Sequence, residues 1–170
     1  MKSNEIFYIG IDPEPSGAWC IYDFDYNEVK FFTSYKDLKE RAKQFEDNYQ
    51  IWLDTSNPVF IEEPIPMPNQ NIKAAMKTFI SYGAWLGILY SVGMENVYTI
   101  PPRRWKSALG LSKDKYQSFK ITMALINEEM IEYDKDELKL GPKVPEKQIY
   151  DRCESFLIAR YGIEYLLSGV

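Results

Sequence analysis

Histidine is absent from this 170-residue chain, and cysteine occurs only twice. Without histidine there is no Ser-His or Cys-His nucleophile pair, no imidazole metal site and no zinc chemistry of the usual kinds. Cys20 and Cys153 have neither metal-ligand spacing nor a disulfide framework, and their apolar neighbours lead us to expect buried free thiols. No apolar run is long enough to cross a bilayer. The opening Met-Lys-Ser-Asn-Glu leads straight into a strand-like segment without a signal-peptide core. The expectation is an intracellular protein with no membrane partner, cytoplasmic (in the host cytoplasm if viral). A basic excess is also missing: 20 Lys and Arg stand against 25 Asp and Glu, a net charge of −5. That balance argues against a surface basic all over, as phosphate binding favours. It leaves room for a local basic face, because acids gather in residues 128–137 while Arg103, Arg104 and Lys106 cluster elsewhere. Acid-base or metal chemistry in this chain must use Asp, Glu, Lys, Tyr or bound water.

Apolar and aromatic residues are present in quantity, at 45% and 15%, which supports a substantial core. The length suits one domain spanning residues 1–170, and no repeat, low-complexity tract or interdomain linker divides it. Three strand-like segments come first: Phe7 to Asp12, Gly17 to Tyr22 and Glu28 to Thr33. Their connections carry turn chemistry and are short enough for antiparallel hairpins. Tyr35 to Tyr49 reads as an amphipathic helix, with Leu38, Ala42 and Phe45 at helical spacing. A strand follows at Val59 to Glu62, and then the proline-rich loop Pro64-Ile65-Pro66-Met67-Pro68. A long apolar helix is predicted over Ile72 to Val92, with Ala75, Phe79, Tyr82, Leu86 and Leu89 along one side. Gly83 and Gly87, four apart, share a face that permits close backbone approach. That face either packs on the sheet or forms a dimer contact. Val97 to Ile100 reads as a short strand ended by Pro101-Pro102, and Asp114 to Met130 and Glu146 to Leu167 as two further helices. Between those helices, Ile131 to Pro145 is expected to be a solvated surface connection.

Four acids stand out against this pattern. Asp12 ends the first apolar run, Glu62 ends the run Val59-Phe60-Ile61, and Asp151 and Glu154 lie three apart on the last helix. Carboxylates beside a core are costly unless paired, hydrogen-bonded or bound to a metal. On the helix, Cys153, Phe156 and Leu157 form the expected packing side, with the acids at its edge. Hard oxygen ligands of this kind suit Mg²⁺ or Mn²⁺, and a pair of ions can clamp the attacking and leaving oxygens of a phosphodiester. Each acid alone is equally a turn residue or part of a solvated helix face. The ordered set is what points to a site.

The set resembles the RuvC-type Holliday junction resolvases, particularly the shorter versions found in bacteriophages, which have the ribonuclease H-like fold. Ile9-Gly10-Ile11-Asp12-Pro13 is similar to the first-strand motif and Phe60-Ile61-Glu62-Glu63 to the second acidic motif. Asp151-Arg152-Cys153-Glu154, followed by Ser-Phe-Leu-Ile-Ala, is similar to the C-terminal acidic helix. Pro101, Trp105-Lys106 and Asp114 to Ser118 resemble the intervening basic segment. The resemblance implies an α/β fold with a mixed five-stranded sheet flanked by helices. It also implies a homodimeric endonuclease, dependent on Mg²⁺ or Mn²⁺ with two ions per active site, that nicks four-way DNA junctions symmetrically. By position, Asp12, Glu62, Asp151 and Glu154 would be catalytic metal ligands, and Glu63 is the fallback if the second motif is displaced by one. Lys115 would stabilise charge at the scissile phosphate, and Arg103, Arg104, Lys106 and Ser118 would contact DNA. The chain departs from the bacterial pattern in having Glu for the fourth acid and no aromatic in the Glu63-Pro64-Ile65-Pro66 loop.

Two other readings stand beside this one. The same fold could cut RNA–DNA hybrids, flaps or other branched DNA, since carboxylates cut phosphodiesters whatever the strand context. A non-catalytic nucleic-acid-binding module would leave four acids near one site with no cation, which is electrostatically unfavourable. A small-molecule kinase of the actin-like superfamily also begins with a strand ending in Gly-x-Asp, but it usually needs a second domain for which this chain is too short.

Overall fold

The apolar runs near the N-terminus alternate in facing, and that alternation fixes the layers. In a computed structural model, which describes residues 6–52, 54–66, 68, 70–112, 114–141 and 144–168, they form a five-stranded mixed sheet. The strands are β1 (Phe7–Ile11), β2 (Ala18–Asp23), β3 (Glu28–Thr33), β4 (Val59–Glu62) and β5 (Val97–Ile100), in the order β3-β2-β1-β4-β5. β1 to β3 pair antiparallel, as their short turns require, while β1-β4 and β4-β5 are parallel. The parallel pairs are reached by the helical crossovers α1 (Leu38–Trp52) and α2 (Ile72–Ser91). This is the mixed sheet that the resemblance implied.

Side-chain alternation divides the core in two. Phe7, Ile9, Ile11, Trp19, Ile21, Val59 and Ile61 face α1 and α2, where Phe45, Trp85 and Leu89 meet them. Cys20, Tyr22, Phe31 and Phe60 face the opposite layer. That layer is built from α3 (Pro102–Ala108), α4 (Tyr116–Glu129) and α5 (Glu146–Ser168). Both cysteines are free and buried as expected, and burial pushes each thiol up to about 12.

α5 lies directly against β1. A Cβ on Gly10 would stand 1.9 Å from the Ser155 carbonyl oxygen, so only glycine at this point admits the helix so close to the sheet. With the sheet on one side and α4 on the other, Cys153 to Ala159 are buried without interruption. The acids therefore do not sit at the edge of a one-sided helix: Asp151 is fully buried and Glu154 nearly so.

Four other expectations need correction. α1 begins at Leu38, because the Asp37 carboxylate accepts from the Lys39 and Glu40 amides and so sets the helix start; Tyr35 and Leu38 stay exposed. Residues 102–108 form a helix the sequence reading lacked. Pro101 ends the strand region, and Pro102 occupies the first helical turn, where a missing amide costs nothing. On α2 the buried residues are Ser81, Trp85 and Leu89, and Phe79 is exposed. Among the described residues nothing lies within 4 Å of a Cβ built on Gly83 or Gly87, which speaks against the intramolecular alternative for that face. Finally, the 131–145 connection is more than solvated chain, since Ile131 and Leu138 are buried in the core. Glu132 exchanges backbone hydrogen bonds with β3 and its turn: Val29 N donates to Glu132 O at 2.9 Å, and Glu132 N donates to Asn27 O at 2.8 Å. The segment covers the free edge of the sheet, a common protection against edge pairing.

Candidate active site

Asp12 directly follows β1, on the same side as Gly10, and Glu62 ends β4 on the same side as Phe60. The parallel register pairs Gly10 with Phe60 and Ile11 with Ile61. One step further sets Asp12 opposite Glu62, both directed to the α5 layer. Glu63, one residue on, faces away and is exposed. Gly10 meanwhile brings α5 against β1, which carries Asp151 and Glu154 to the same end of the sheet. Four carboxylates distant in sequence thus converge.

Asp12 stands in the middle of the other carboxylates. Its Oδ1 accepts from the Glu14 amide at 3.1 Å, while its buried Oδ2 accepts no hydrogen bond from any described residue. Burial, then Glu154, Glu14, Asp151 and Glu62 in that order, raise its carboxyl well above the ordinary range. Glu62 is raised by burial, opposed by Lys106 and by the Trp105 indole, whose Nε1 donates to Glu62 Oε2 at 2.7 Å. Glu154 Oε1 accepts from the Ser118 hydroxyl at 3.2 Å. Burial also raises Asp151, against the lowering pull of Lys147 and Lys115.

Ammonium groups stand among these acids. Lys106 Nζ lies 3.5 Å from Glu62 and 4.0 Å from Glu154. Lys115 Nζ lies 3.5 Å from Asp151 Oδ1 and 3.8 Å from Glu14. Burial works to lower both lysines, but the surrounding carboxylates outweigh it and raise them, so both stay charged. Among the described residues no three acid or thiol side chains form a ready-made metal cage. The donor set nevertheless fits a hard divalent cation. It offers carboxylate oxygens only, two of them, Asp12 Oδ2 and Asp151 Oδ1, buried with no hydrogen-bond donor among the described residues, in a region where like charges repel.

Of the other residues singled out by sequence, Arg103 and Arg104 are exposed on α3 beside the site. Lys106 is turned into the site, over the Trp105 ring at 4.8 Å. Ser118 is not on the surface. It is 2% exposed and committed to Glu154, which leaves it no reach toward a phosphate. Sequence reading missed three members of the site: Glu14, Lys147 and the donor role of Trp105. The i,i+4 spacing of Lys147 and Asp151 on a predicted helix was the available signal for one of them.

No family model matches the chain. It is 30% identical over 106 residues to the chloroplastic Holliday junction resolvase MOC1 of Chlamydomonas reinhardtii; the match takes in 61% of this chain and 11% of that much longer protein. Among solved structures it is similar to T. thermophilus RuvC in complex with a Holliday junction substrate, with 18% identity, a TM-score of 0.57 and 96% of each chain covered. A second Thermus thermophilus RuvC structure gives 16% identity and a TM-score of 0.56 over 96% of this chain and 97% of that one. The yeast mitochondrial Holliday junction resolvase Ydc2 gives 12% and 0.56, over 91% of this chain and 75% of its own. The fold, a mixed five-stranded sheet between helical layers, is therefore the ribonuclease H-like fold in its RuvC form.

Proposed function

We propose that this chain is a divalent-metal-dependent, structure-selective DNA endonuclease that resolves four-way junctions by paired symmetric nicks. The observation that carries this reading is the meeting of Asp12, Glu62, Asp151 and Glu154 at one end of the sheet, with Asp12 Oδ2 buried and accepting no hydrogen bond from the described residues. The junction as substrate is supported by the names of its relatives, which are junction resolvases, one of them solved with a junction bound.

In this reading the four carboxylates would hold Mg²⁺ or Mn²⁺, two ions per centre. The ions would supply Lewis-acid stabilisation of the oxygens entering and leaving phosphorus. The chain's own residues do the rest. The Trp105 indole holds Glu62 in one orientation and the Ser118 hydroxyl does the same for Glu154. Lys115, at the start of α4 and charged by its neighbours, offers a donor to the phosphoryl oxygens as negative charge builds there. Arg103 and Arg104, exposed on α3, meet backbone phosphates. In the hydrolysis one bond forms, from water oxygen to phosphorus, and one breaks, from phosphorus to the 3′ oxygen. Water loses a proton, the 3′ oxygen gains one, and the phosphate stays on the 5′ end.

Paired nicks need two centres, and α2 supplies a surface for a second copy. Met76, Ile80, Gly83, Gly87 and Tyr90 recur at alternating spacings of four and three, an exposed stripe flanked by Ile72 and Phe79. The two glycines leave a smooth strip against which the same helix of a partner can lie. Although α2 is 20 residues long, no helix among the described residues is long and apolar enough to cross a membrane.

The test is cleavage of an immobile four-way junction, a flap, an RNA–DNA hybrid and a linear duplex, each with Mg²⁺ or Mn²⁺. Symmetric nicks in opposing strands of the junction are expected, with Asp12→Asn binding the junction but not cutting it. Full cleavage by Asp12→Asn would remove the metal reading, and preference for the hybrid or flap would move the substrate.

A further inference from the structure

The site contains a fifth carboxylate and a third ammonium group that the four-acid pattern does not account for. Glu14 lies in the β1–β2 connection two residues after Asp12, and Lys147 lies in the first turn of α5, four residues before Asp151. Lys147 Nζ stands 2.5 Å from Asp151 Oδ2 and 2.8 Å from Glu14 Oε2. Lys115 Nζ spans the same two residues through their other oxygens. The Oδ1 of buried Asp151 thus has no hydrogen-bond partner among the described residues and stands 3.5 Å from the Lys115 ammonium, while its Oδ2 is engaged by a hydrogen-bonded ammonium. An oxygen held in this way is not free to ligate a cation, and the positive charge beside it repels one.

The two ends of the bridge differ in freedom. Glu14 is anchored through its backbone: its amide donates to Asp12 Oδ1, and its carbonyl accepts from Gly17 N at 2.9 Å. The next carbonyl, of Pro15, accepts from the buried Arg41 guanidinium at 3.0 Å. Lys147 has a side chain 48% exposed on a flexible four-carbon stem, so it can turn away from Asp151 without disturbing the core.

We propose that Lys147 is a built-in competitor for the divalent ion: its ammonium bridges Glu14 and Asp151, and it must release Asp151, remaining on Glu14, before the Oδ2 of that carboxylate can ligate a metal. Loading the centre is then a cation exchange, with a monovalent side chain displaced by a divalent ion. The inference rests on the metal site proposed above and concerns its regulation. The exchange also keeps a crowded acidic site partly neutralised at every stage.

The experiment is Mn²⁺ binding to the full chain without DNA, followed by the paramagnetic resonance signal of free Mn²⁺, which requires no turnover. Lys147→Gln is expected to bind Mn²⁺ about fivefold more tightly than the parent, the scale of one part-exposed ion pair removed. Lys147→Arg, which restores the charge, is expected to return to the parent affinity. Glu14→Gln is expected to weaken binding, and to weaken it less in the Lys147→Gln background, because the two residues act as one unit. Unchanged or weaker binding by Lys147→Gln overturns the inference. An Asp12→Asn arm separates the two levels of the argument. If the parent shows no Asp12-dependent Mn²⁺ binding, the metal reading fails and this inference with it. If Asp12-dependent binding is present but Lys147→Gln leaves it unchanged, only this inference fails.

Discussion

Removing the central acid is expected to stabilise the protein when no divalent ion is bound. Asp12 is 3% exposed, has one oxygen without a hydrogen-bond donor among the described residues, and stands among four other carboxylates. A buried, unsatisfied polar group costs about 1–3 kcal/mol, more when charged. Asp12→Asn keeps the Oδ1 acceptor for the Glu14 amide and turns an NH₂ donor, in place of a charge, toward the surrounding carboxylates. For about 2 kcal/mol, a chain of this size should melt about 4–8 °C higher. The pH dependence has a definite sign. The folded-state pKa of Asp12 is raised, so the folded form holds its proton longer than the unfolded form does. The ionised acid therefore costs nothing below the ordinary carboxylate range, and the cost grows as pH rises from there through the folded value. The gain from Asn should be small near pH 4 and larger at pH 7–8. Divalent metal should reverse the order, since an ion at a hundred times its dissociation constant adds about 2.7 kcal/mol to the parent and nothing to a variant that cannot hold it. Thermal melts with EDTA and with Mn²⁺, at several pH values, test both halves. If Asp12→Asn melts below the parent in EDTA at pH 7–8, the electrostatic account of the site is wrong.

Other consequences can be measured separately. Trp105→Phe removes the donor to Glu62 and should slow junction cleavage by about tenfold or more, the worth of a hydrogen bond to a charged group, with junction affinity little changed. Lys115→Ala should lower the single-turnover cleavage rate by about 10²–10³-fold while leaving binding in place, and an unchanged rate would rule out its role at the phosphate. Gly10→Ala should cost about 3 kcal/mol or more by denaturant titration, because its methyl would have to displace the backbone of α5. Ile80→Glu should give a folded monomer by light scattering, and a dimer that persists would locate the interface away from α2.

Where one residue determined one local outcome, the fold was legible in sequence. The short turns after β1 and β2 set the hairpins, and the alternation in Phe7–Ile11 and Val59–Glu62 put Asp12 and Glu62 on one face. The parts that were hidden depend on contacts between distant segments. α2 is apolar nearly all round, so its hydrophobic residues did not show that Ser81, Trp85 and Leu89 are the buried side; the Arg41 guanidinium, which donates to Ser81 Oγ at 2.8 Å and lies over Trp85, had no signature in the pattern. Asp151 was expected at the edge of a one-sided helix, but α4 covers the other side of α5, and no property of α5 alone reports that cover. Ser118 was expected at the DNA because it lies in the segment that resembles the family's basic one, and a segment match does not report which of its side chains turns inward. The burial of Ser118 follows from where Glu154 points. Glu14 resembles any acid in a turn until Lys147, 133 residues later in the chain, is placed against it.

The burial of α5 also separates the site by timescale. Amides in a helix covered on both sides exchange with solvent only when the whole molecule opens, whereas those in turns and first helical turns exchange through local fluctuation. Asp151 and Glu154 ride on the former, and Glu14 and Lys147 on the latter. The part of the centre carried by the buried turns of α5 is therefore expected to exchange slowly, and the Glu14 turn and the first turn of α5 faster, so that a change at Lys147 need not loosen the frame that aligns the acids.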